Sequence, residues 1–201
     1  MSRILMAWEL GANMGHIDRM LITARAMRER GHDVTFALKD LARAHGRIVR
    51  DGFPVLQSPI WLPRMANPPR LVNFSAVLAA GGWLDGAGLA GLLCAWRNLF
   101  DLTRPDLLVC DHAPTAMLAM RGRRVPVAAI GNCFELPPHR GFFPVMNYWD
   151  AIDSAACEHS DALVLAPVNQ ALGLIGEAPL SRLTALFEGV RCLAATLPEF
   201  S

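Results

Sequence analysis

Short apolar runs alternate with segments of helical spacing along almost the whole chain. Glycine, proline or charged residues bound each run, which is typical of strands that are buried on both faces of a sheet. Seven strands are predicted in this way, at residues 3–8, 33–38, 54–58, 106–110, 125–130, 162–166 and 190–195.

The segments between these runs predict helices. In the first, apolar residues recur at i, i+3, i+4 and i+7 from Ile17 to Met27, and Arg28 and Arg30 precede Gly31, as at a helix C-terminus. Further helices are predicted at residues 41–51, within 76–102, and at 115–120, 145–159 and 180–188. The alternation indicates an α/β fold: one doubly wound domain with a mostly parallel, seven-stranded Rossmann-like sheet.

Composition limits the classes of function. The 201 residues are 53% hydrophobic and carry 19 basic and 18 acidic side chains, so the chain can bury a core and has no basic excess for nucleic acid. Five cysteines lie far apart, mostly in apolar runs and without zinc-ligand spacing, which indicates reduced, buried thiols. Glu9 interrupts the first apolar run too early for a secretion signal, so we expect a cytoplasmic protein.

Residues 72–96 carry one charge in 25 positions and have the length to cross a bilayer. That charge, Asp85, stands near the centre, and five glycines weaken the segment as an isolated helix. We therefore expect a buried or pocket-lining helical stretch, with weak membrane association as the alternative.

The loop after the first strand, residues 9–16, has the sequence ELGANMGH. Ligands of a doubly wound sheet bind beyond the carboxyl ends of its strands, so this loop is a candidate site. Gly11 and Gly15 permit tight turns, but Asn13 stands where a dinucleotide-binding fingerprint needs its second glycine. His16 lies at the start of the first helix, whose positive end favours a neutral imidazole that can accept a proton. A histidine that only caps the helix is the alternative.

The predicted fourth strand is followed by a carboxylate, Asp111. If the first and fourth strands are neighbours, as is usual in a doubly wound sheet, Asp111 and His16 emerge side by side. A carboxylate fixes the tautomer of a neutral imidazole and stabilises the cation that forms when the ring takes a proton, so this pair could deprotonate a hydroxyl. The alternative for Asp111 is an N-cap of the following helix.

Four segments together resemble the GT-B glycosyltransferases of the UDP-glycosyltransferase type: GHIDR at 15–19, RGHDVTF at 30–36, PDLLVCD at 105–111 and VPVAAIG at 125–131. The resemblance covers essentially the whole chain. It implies inverting hexosyl transfer from a nucleotide-diphosphate sugar to an acceptor hydroxyl, with His16 as the base and Asp111 as its partner. It also implies no metal and no cofactor, since the nucleotide sugar is a co-substrate held mainly by a second domain.

By this resemblance, residues 1–201 correspond to the N-terminal, acceptor-binding domain alone, without the C-terminal nucleotide-sugar-binding domain. The chain is then expected to need a donor-binding domain or subunit, to be inactive by itself and to self-associate through an exposed apolar face. A truncated chain and a natural half-enzyme are both compatible with this. A non-catalytic small-molecule-binding or regulatory module of the same fold is the alternative.

Residues on two loops are candidate acceptor-binding groups: Asn13, Met14 and Gly15 after the first strand, and Asn132, Phe134 and Glu135 after the fifth. With the stretch from Trp83 to Trp96 they would form an apolar lining for a lipophilic acceptor such as a phenol, polyketide or isoprenoid. Core packing is the alternative for Phe134 and the tryptophans. Asp18 and His112 suggest a metal only weakly because no third ligand is placed, and His112 is interpreted as a helix or surface histidine.

Overall fold

Six parallel strands form the sheet at the centre of the computed structural model, which describes residues 1–61, 70–147, 149 and 151–195. The strands are β1 (Arg3–Trp8), β2 (Asp33–Leu38), β3 (Val55–Gln57), β4 (Leu107–Asp111), β5 (Val127–Gly131) and β6 (Val190–Ala194). Their order is β3-β2-β1-β4-β5-β6, and every neighbouring pair is parallel. The predicted doubly wound α/β architecture is confirmed, with six strands in the described residues where the sequence predicted seven.

The helices are α1 (Gly15–Glu29), α2 (Leu41–Ile48), α3 (Phe74–Leu78), α4 (Gly86–Thr103), α5 (Pro114–Met120) and α6 (Ser154–Leu174). The helix predicted at 180–188 is a short 3-10 helix, Leu183–Phe187. The helix predicted at 145–159 begins only at Ser154, because the side chain of Asp153 accepts from the amide of Ala156 and caps it there.

The sixth predicted strand, at residues 162–166, is wrong, because this run lies inside α6. Its apolar residues belong to a helical series in which Val164, Val168 and Ala171 are buried. A short run of Val and Leu fits a strand and a helix equally well, and only the longer series distinguishes them.

The apolar segment 72–96 folds into α3, a π-helical turn (Ala79–Trp83) and most of α4. Asp85 caps α4 by accepting from the amides of Ala87 and Gly88. The two helical parts meet at an angle of 84°, and Trp83 and Trp96 are buried in the core. No single helix among the described residues is both long and apolar enough to cross a membrane.

Helices cover both faces of the sheet, and the side chains of β1 alternate between the two layers. Ile4, Met6 and Trp8 belong to a buried cluster with residues of α1 and α2. Leu5 and Ala7 belong to a second cluster with residues of α3 to α6. Burial on both faces explains why the sequence of this strand is an unbroken apolar run.

The cysteines are all free thiols, but they are not all buried. Cys110 in β4 and Cys157 in α6 are buried, whereas Cys94, Cys133 and Cys192 are exposed. The expectation of buried thiols is therefore wrong for three of the five, because those three lie on a helix exterior, in a loop and on the edge strand.

Candidate active site

The order of the strands brings two loops together at the carboxyl edge of the sheet. β1 and β4 are neighbours, and Trp8 is in register with Asp111. The amide of Leu10, in the loop after β1, donates to the carbonyl of His112, directly after β4, at 2.9 Å. This bond ties the loop that precedes α1 to the turn that precedes α5.

His16 and Asp111 meet at this edge. Nδ1 of His16 lies 2.7 Å from Oδ1 of Asp111, whose side chain is fully buried, while His16 is only 8% exposed. An ionised carboxylate can only accept a hydrogen bond, so the proton of the neutral ring is on Nδ1. Nε2 is then the atom that can accept a proton.

Neither residue is a helix cap. The N-cap position of α1 is Met14, without a side-chain capping bond, and the ring of His16 turns to Asp111 instead. At the start of α5 the amides of Thr115 and Ala116 donate, each at 2.8 Å, to the carboxylate of Glu9 rather than to Asp111. The capping alternatives for His16 and Asp111 are therefore wrong.

Arg19, one turn after His16 on α1, binds the same carboxylate. Its Nε lies 2.7 Å from Oδ2 of Asp111, and its Nη2 lies 2.6 Å from Oδ1. These hydrogen bonds raise the pKa of Arg19, so the guanidinium keeps its charge in the site. Arg19 was not among the predicted site residues, although its i+3 spacing from His16 places both side chains on one face of the helix.

Glu135, in the loop after β5, lies beside His16, Arg19 and Asp111. We call these four side chains the charged cluster. Its Oε2 accepts from the amide of Asn132 at 2.7 Å, and its Oε1 lies 3.4 Å from Nη2 of Arg19 and 3.9 Å from Nδ1 of His16. The imidazole of His16, the guanidinium of Arg19 and the carboxylates of Asp111 and Glu135 thus lie within ion-pair distance of one another.

Ligand atoms of His16, Asp111 and Glu135 lie within 4.8 Å of one another, a spacing that a metal ion could bridge. Arg19, however, already binds both oxygens of Asp111 and supplies the positive charge at this point. We therefore interpret the cluster as an ion-pair network. Asp18, the weak metal candidate, pairs with Arg47 on the surface.

A tryptophan and a lysine support the loop beside His16. The ring of Trp8 stacks on His16 with centroids 5.5 Å apart, and its Nε1 donates to the carbonyl of Leu10 at 2.6 Å. Lys39, after β2, donates to the carbonyl of Gly11 and lies 5.4 Å from the centre of the Trp8 ring. Burial lowers the pKa of Lys39. Two consecutive carbonyls of the loop after β1, those of Leu10 and Gly11, thus accept hydrogen bonds from side chains of the sheet edge.

His112 is a buried histidine, and its interpretation as a helix or surface residue is wrong. It is 5% exposed, has a left-handed backbone with φ of 50°, and its ring centroid lies 6.0 Å from that of His16. Burial lowers its pKa to about 3, so the ring is neutral. Within the described residues neither ring nitrogen has a hydrogen-bond partner. An adjoining cavity of about 10 Å³ has room for about one water molecule.

The predicted acceptor-binding residues differ in their exposure and in their contacts. Asn13 and Gly15 are exposed at the start of α1, and Met14 is partly buried against the core. Phe134 is 41% exposed and lies edge-on to His112 at 5.6 Å. Asn132 is exposed and accepts from the amide of Phe134, whereas the oxygens of Glu135 are engaged within the charged cluster. Trp83 and Trp96 belong to the core and do not line a pocket at this edge.

Residues 15–175 match the profile of a protein family described as Glycosyl transferase 4-like domain. No curated protein sequence matches the chain. One similar solved structure is the glycosyltransferase SnogD from Streptomyces nogalater, at 19% identity and a TM-score of 0.51 over 98% of this chain and 44% of that one.

Two further structures are similar at lower scores. The glycosyltransferase SsfS6 from Streptomyces sp. SF2575 matches at 13% identity and a TM-score of 0.49, over 90% of this chain and 48% of that one. MurG from Acinetobacter baumannii matches at 18% identity and a TM-score of 0.45, over 64% of this chain and 35% of that one. The chain thus spans less than half the length of each of these three proteins.

Proposed function

Because this chain belongs to the glycosyl transferase 4-like domain family, we propose that it supplies the acceptor site and the catalytic base of an inverting glycosyltransferase. In this proposal it is the N-terminal domain of a GT-B enzyme of the UDP-glycosyltransferase type. The donor is a nucleoside-diphosphate sugar, and no metal or further cofactor takes part.

The observation that carries the proposal is the contact between His16 and Asp111 at 2.7 Å. The proton of the acceptor hydroxyl moves to Nε2 of His16 while the oxygen attacks the anomeric carbon of the donor. The bond from that carbon to the diphosphate breaks, and the nucleoside diphosphate leaves with the electron pair. A positioned general base is worth about 10²- to 10⁴-fold in rate.

The charged cluster supports the proton transfer. When His16 becomes positive, it faces Asp111 and Glu135 across 2.7 and 3.9 Å, and the four groups then sum to zero charge. Arg19 holds the carboxylate of Asp111 in place, so that the ring presents Nε2 rather than Nδ1 to the acceptor.

The leaving diphosphate needs positive or amide groups of its own. Two cations at this edge are already engaged, Arg19 with the carboxylates and Lys39 with the carbonyl of Gly11. Stabilisation of the leaving group is usually the largest catalytic contribution, so we propose that a donor-binding domain or subunit supplies it. Without that part we expect the chain to be inactive.

The test compares two histidine variants. Transfer is measured with this chain joined to, or mixed with, a donor-binding domain, using UDP- and dTDP-sugars with phenolic and isoprenoid alcohols. His16→Ala should lower kcat by about 10²- to 10⁴-fold, while its unfolding midpoint stays above the assay temperature. His45→Ala, on the exposed side of α2, is the matched control and should not affect either quantity. Undiminished transfer by His16→Ala would refute the role of His16 as the base. No transfer by the unsubstituted chain, together with ligand affinity that does not depend on His16, would instead favour a ligand-binding module.

A further inference from the structure

Gly11 lies next to the proton-accepting nitrogen of His16. A Cβ atom built on Gly11 would be 2.3 Å from Nε2, 3.1 Å from Cε1 and 3.2 Å from Cδ2 of the ring. That point is almost equally far from the two ring carbons and closest to the nitrogen between them. It therefore lies beyond Nε2, on the side to which the lone pair points.

Moving the ring of His16 aside for such an atom would break its contacts. Its Nδ1 is bound to Asp111 at 2.7 Å, and Trp8 stacks against it at 5.5 Å. Gly11 is also held, because its carbonyl accepts from Lys39 and its backbone has a φ of +80°. Since a Cβ atom is about 1.5 Å from its Cα, the backbone of Gly11 itself lies within about 4 Å of Nε2.

We infer that Gly11 keeps open a narrow approach to Nε2 of His16, which selects acceptors whose hydroxyl stands on an unhindered carbon, as in a phenol with free ortho positions or a primary alcohol. This inference rests on the proposed function, in which Nε2 takes the proton of the acceptor. With His16 8% exposed and Gly11 close to Nε2, a hydroxyl flanked by bulky groups would collide with the loop before reaching hydrogen-bond distance.

The first experiment uses a matched pair of glycine variants. Gly31 has a φ of +81°, almost equal to that of Gly11, but a Cβ at Gly31 would meet nothing within 4 Å. Gly11→Ala and Gly31→Ala therefore incur the same left-handed strain, and only the first obstructs His16. Transfer should fall by about 10²-fold or more in Gly11→Ala, the range expected for loss of a general base, and stay unchanged in Gly31→Ala. Equal transfer by the two variants would overturn the inference.

The second experiment needs no donor and no substitution. The chain is labelled with ¹⁵N-histidine, and the Nε2 resonance of His16 is followed while para-cresol or 2,6-dimethylphenol is added. The resonance should shift with para-cresol and stay in place with 2,6-dimethylphenol, whose methyl groups flank the hydroxyl. Equal shifts with both phenols, or no shift with either, would refute the inference even if Gly11→Ala did not fold.

These results separate the two proposals. If His16→Ala leaves transfer intact, the proposed function fails whatever the glycine variants do. If transfer depends on His16 but Gly11→Ala transfers as well as Gly31→Ala, only the narrow approach at Gly11 is wrong.

Discussion

Arg19 binds both oxygens of Asp111, with Nε 2.7 Å from Oδ2 and Nη2 2.6 Å from Oδ1. This bidentate ion pair prevents the carboxylate from rotating away from His16. The proposed catalytic pair, His16 and Asp111, is therefore one side of a larger cluster, and substitutions in that cluster have distinct expected effects.

Asp111→Asn should lower kcat by about 10²- to 10⁴-fold and leave the KM of the acceptor unchanged. An amide can donate to Nδ1, which keeps the neutral ring in the tautomer whose Nε2 already carries a proton. Steady-state kinetics of transfer check this. Asp106→Asn is the control, because Asp106 pairs with Arg3 on the surface at the other end of β4. An equal loss in both variants would contradict the expected role.

Arg19→Met should destabilise the fold by about 3–5 kcal/mol, because it leaves the buried carboxylates of Asp111 and Glu135 without their cation. Adding Glu135→Gln removes one of the two charges, so the double variant should regain part of that loss. Urea denaturation of the single and double variants measures both values. A double variant that is as unstable as Arg19→Met would show that charge compensation is not the cause.

Glu9 and His112 should give the stability of the fold opposite dependences on pH. Burial raises the pKa of Glu9 from 4.5 to about 7, so the folded state keeps a proton that the unfolded state releases, and stability falls as pH rises through this window. Burial lowers the pKa of His112 from 6.5 to about 3, so the unfolded state binds the proton first and stability falls as pH drops through that range. In the pH range that the two groups share, Glu9 lowers the unfolding free energy with rising pH, whereas His112 raises it.

Single variants separate these slopes. Relative to the unsubstituted chain, the unfolding free energy of Glu9→Gln should rise with pH in the overlap, by up to about 1.4 kcal/mol per pH unit. That of His112→Phe should fall with pH over the same range. Urea denaturation at a series of pH values measures both, and identical pH profiles for the two variants would rule out this assignment.

Cys94, Cys133 and Cys192 should react with iodoacetamide in the folded chain, because their side chains are exposed. Cys110 and Cys157 should react only after unfolding, and burial also raises the pKa of the Cys110 thiol well above its usual range. Mass spectrometry should count three labels in buffer and five in urea. Rapid labelling of Cys110 in buffer would mean that β4 opens.

The sheet could be predicted because parallel strands covered on both faces are continuous apolar runs. β1 and β2 have the bounds that the pattern predicted, Arg3–Trp8 and Asp33–Leu38. The same rule failed at residues 162–166, where a helix of 21 residues contains an equally apolar run. Length and helical spacing over the whole segment, not the run itself, decide that case.

The meeting of His16 and Asp111 could be predicted because strand order alone places the ends of β1 and β4 together. The positions of Arg19 and His112 could not, since they depend on side-chain direction and on a left-handed turn at His112 that hydrophobic periodicity does not encode. The hydrogen bonds of Glu9 could not be predicted either, because its partners are amides of α5 more than 100 residues away.

The bond between His16 and Asp111 joins positions 95 residues apart, and β1 must pair with β4 before it can form. Closing so long a stretch of chain is slow compared with forming α1 or α2 locally. During synthesis on the ribosome, α1 and α2 can therefore form while His16 is still without Asp111. The contact forms only after β4 has left the ribosome and paired with β1, so a nascent chain that ends before Asp111 cannot yet hold the His16 ring in this orientation.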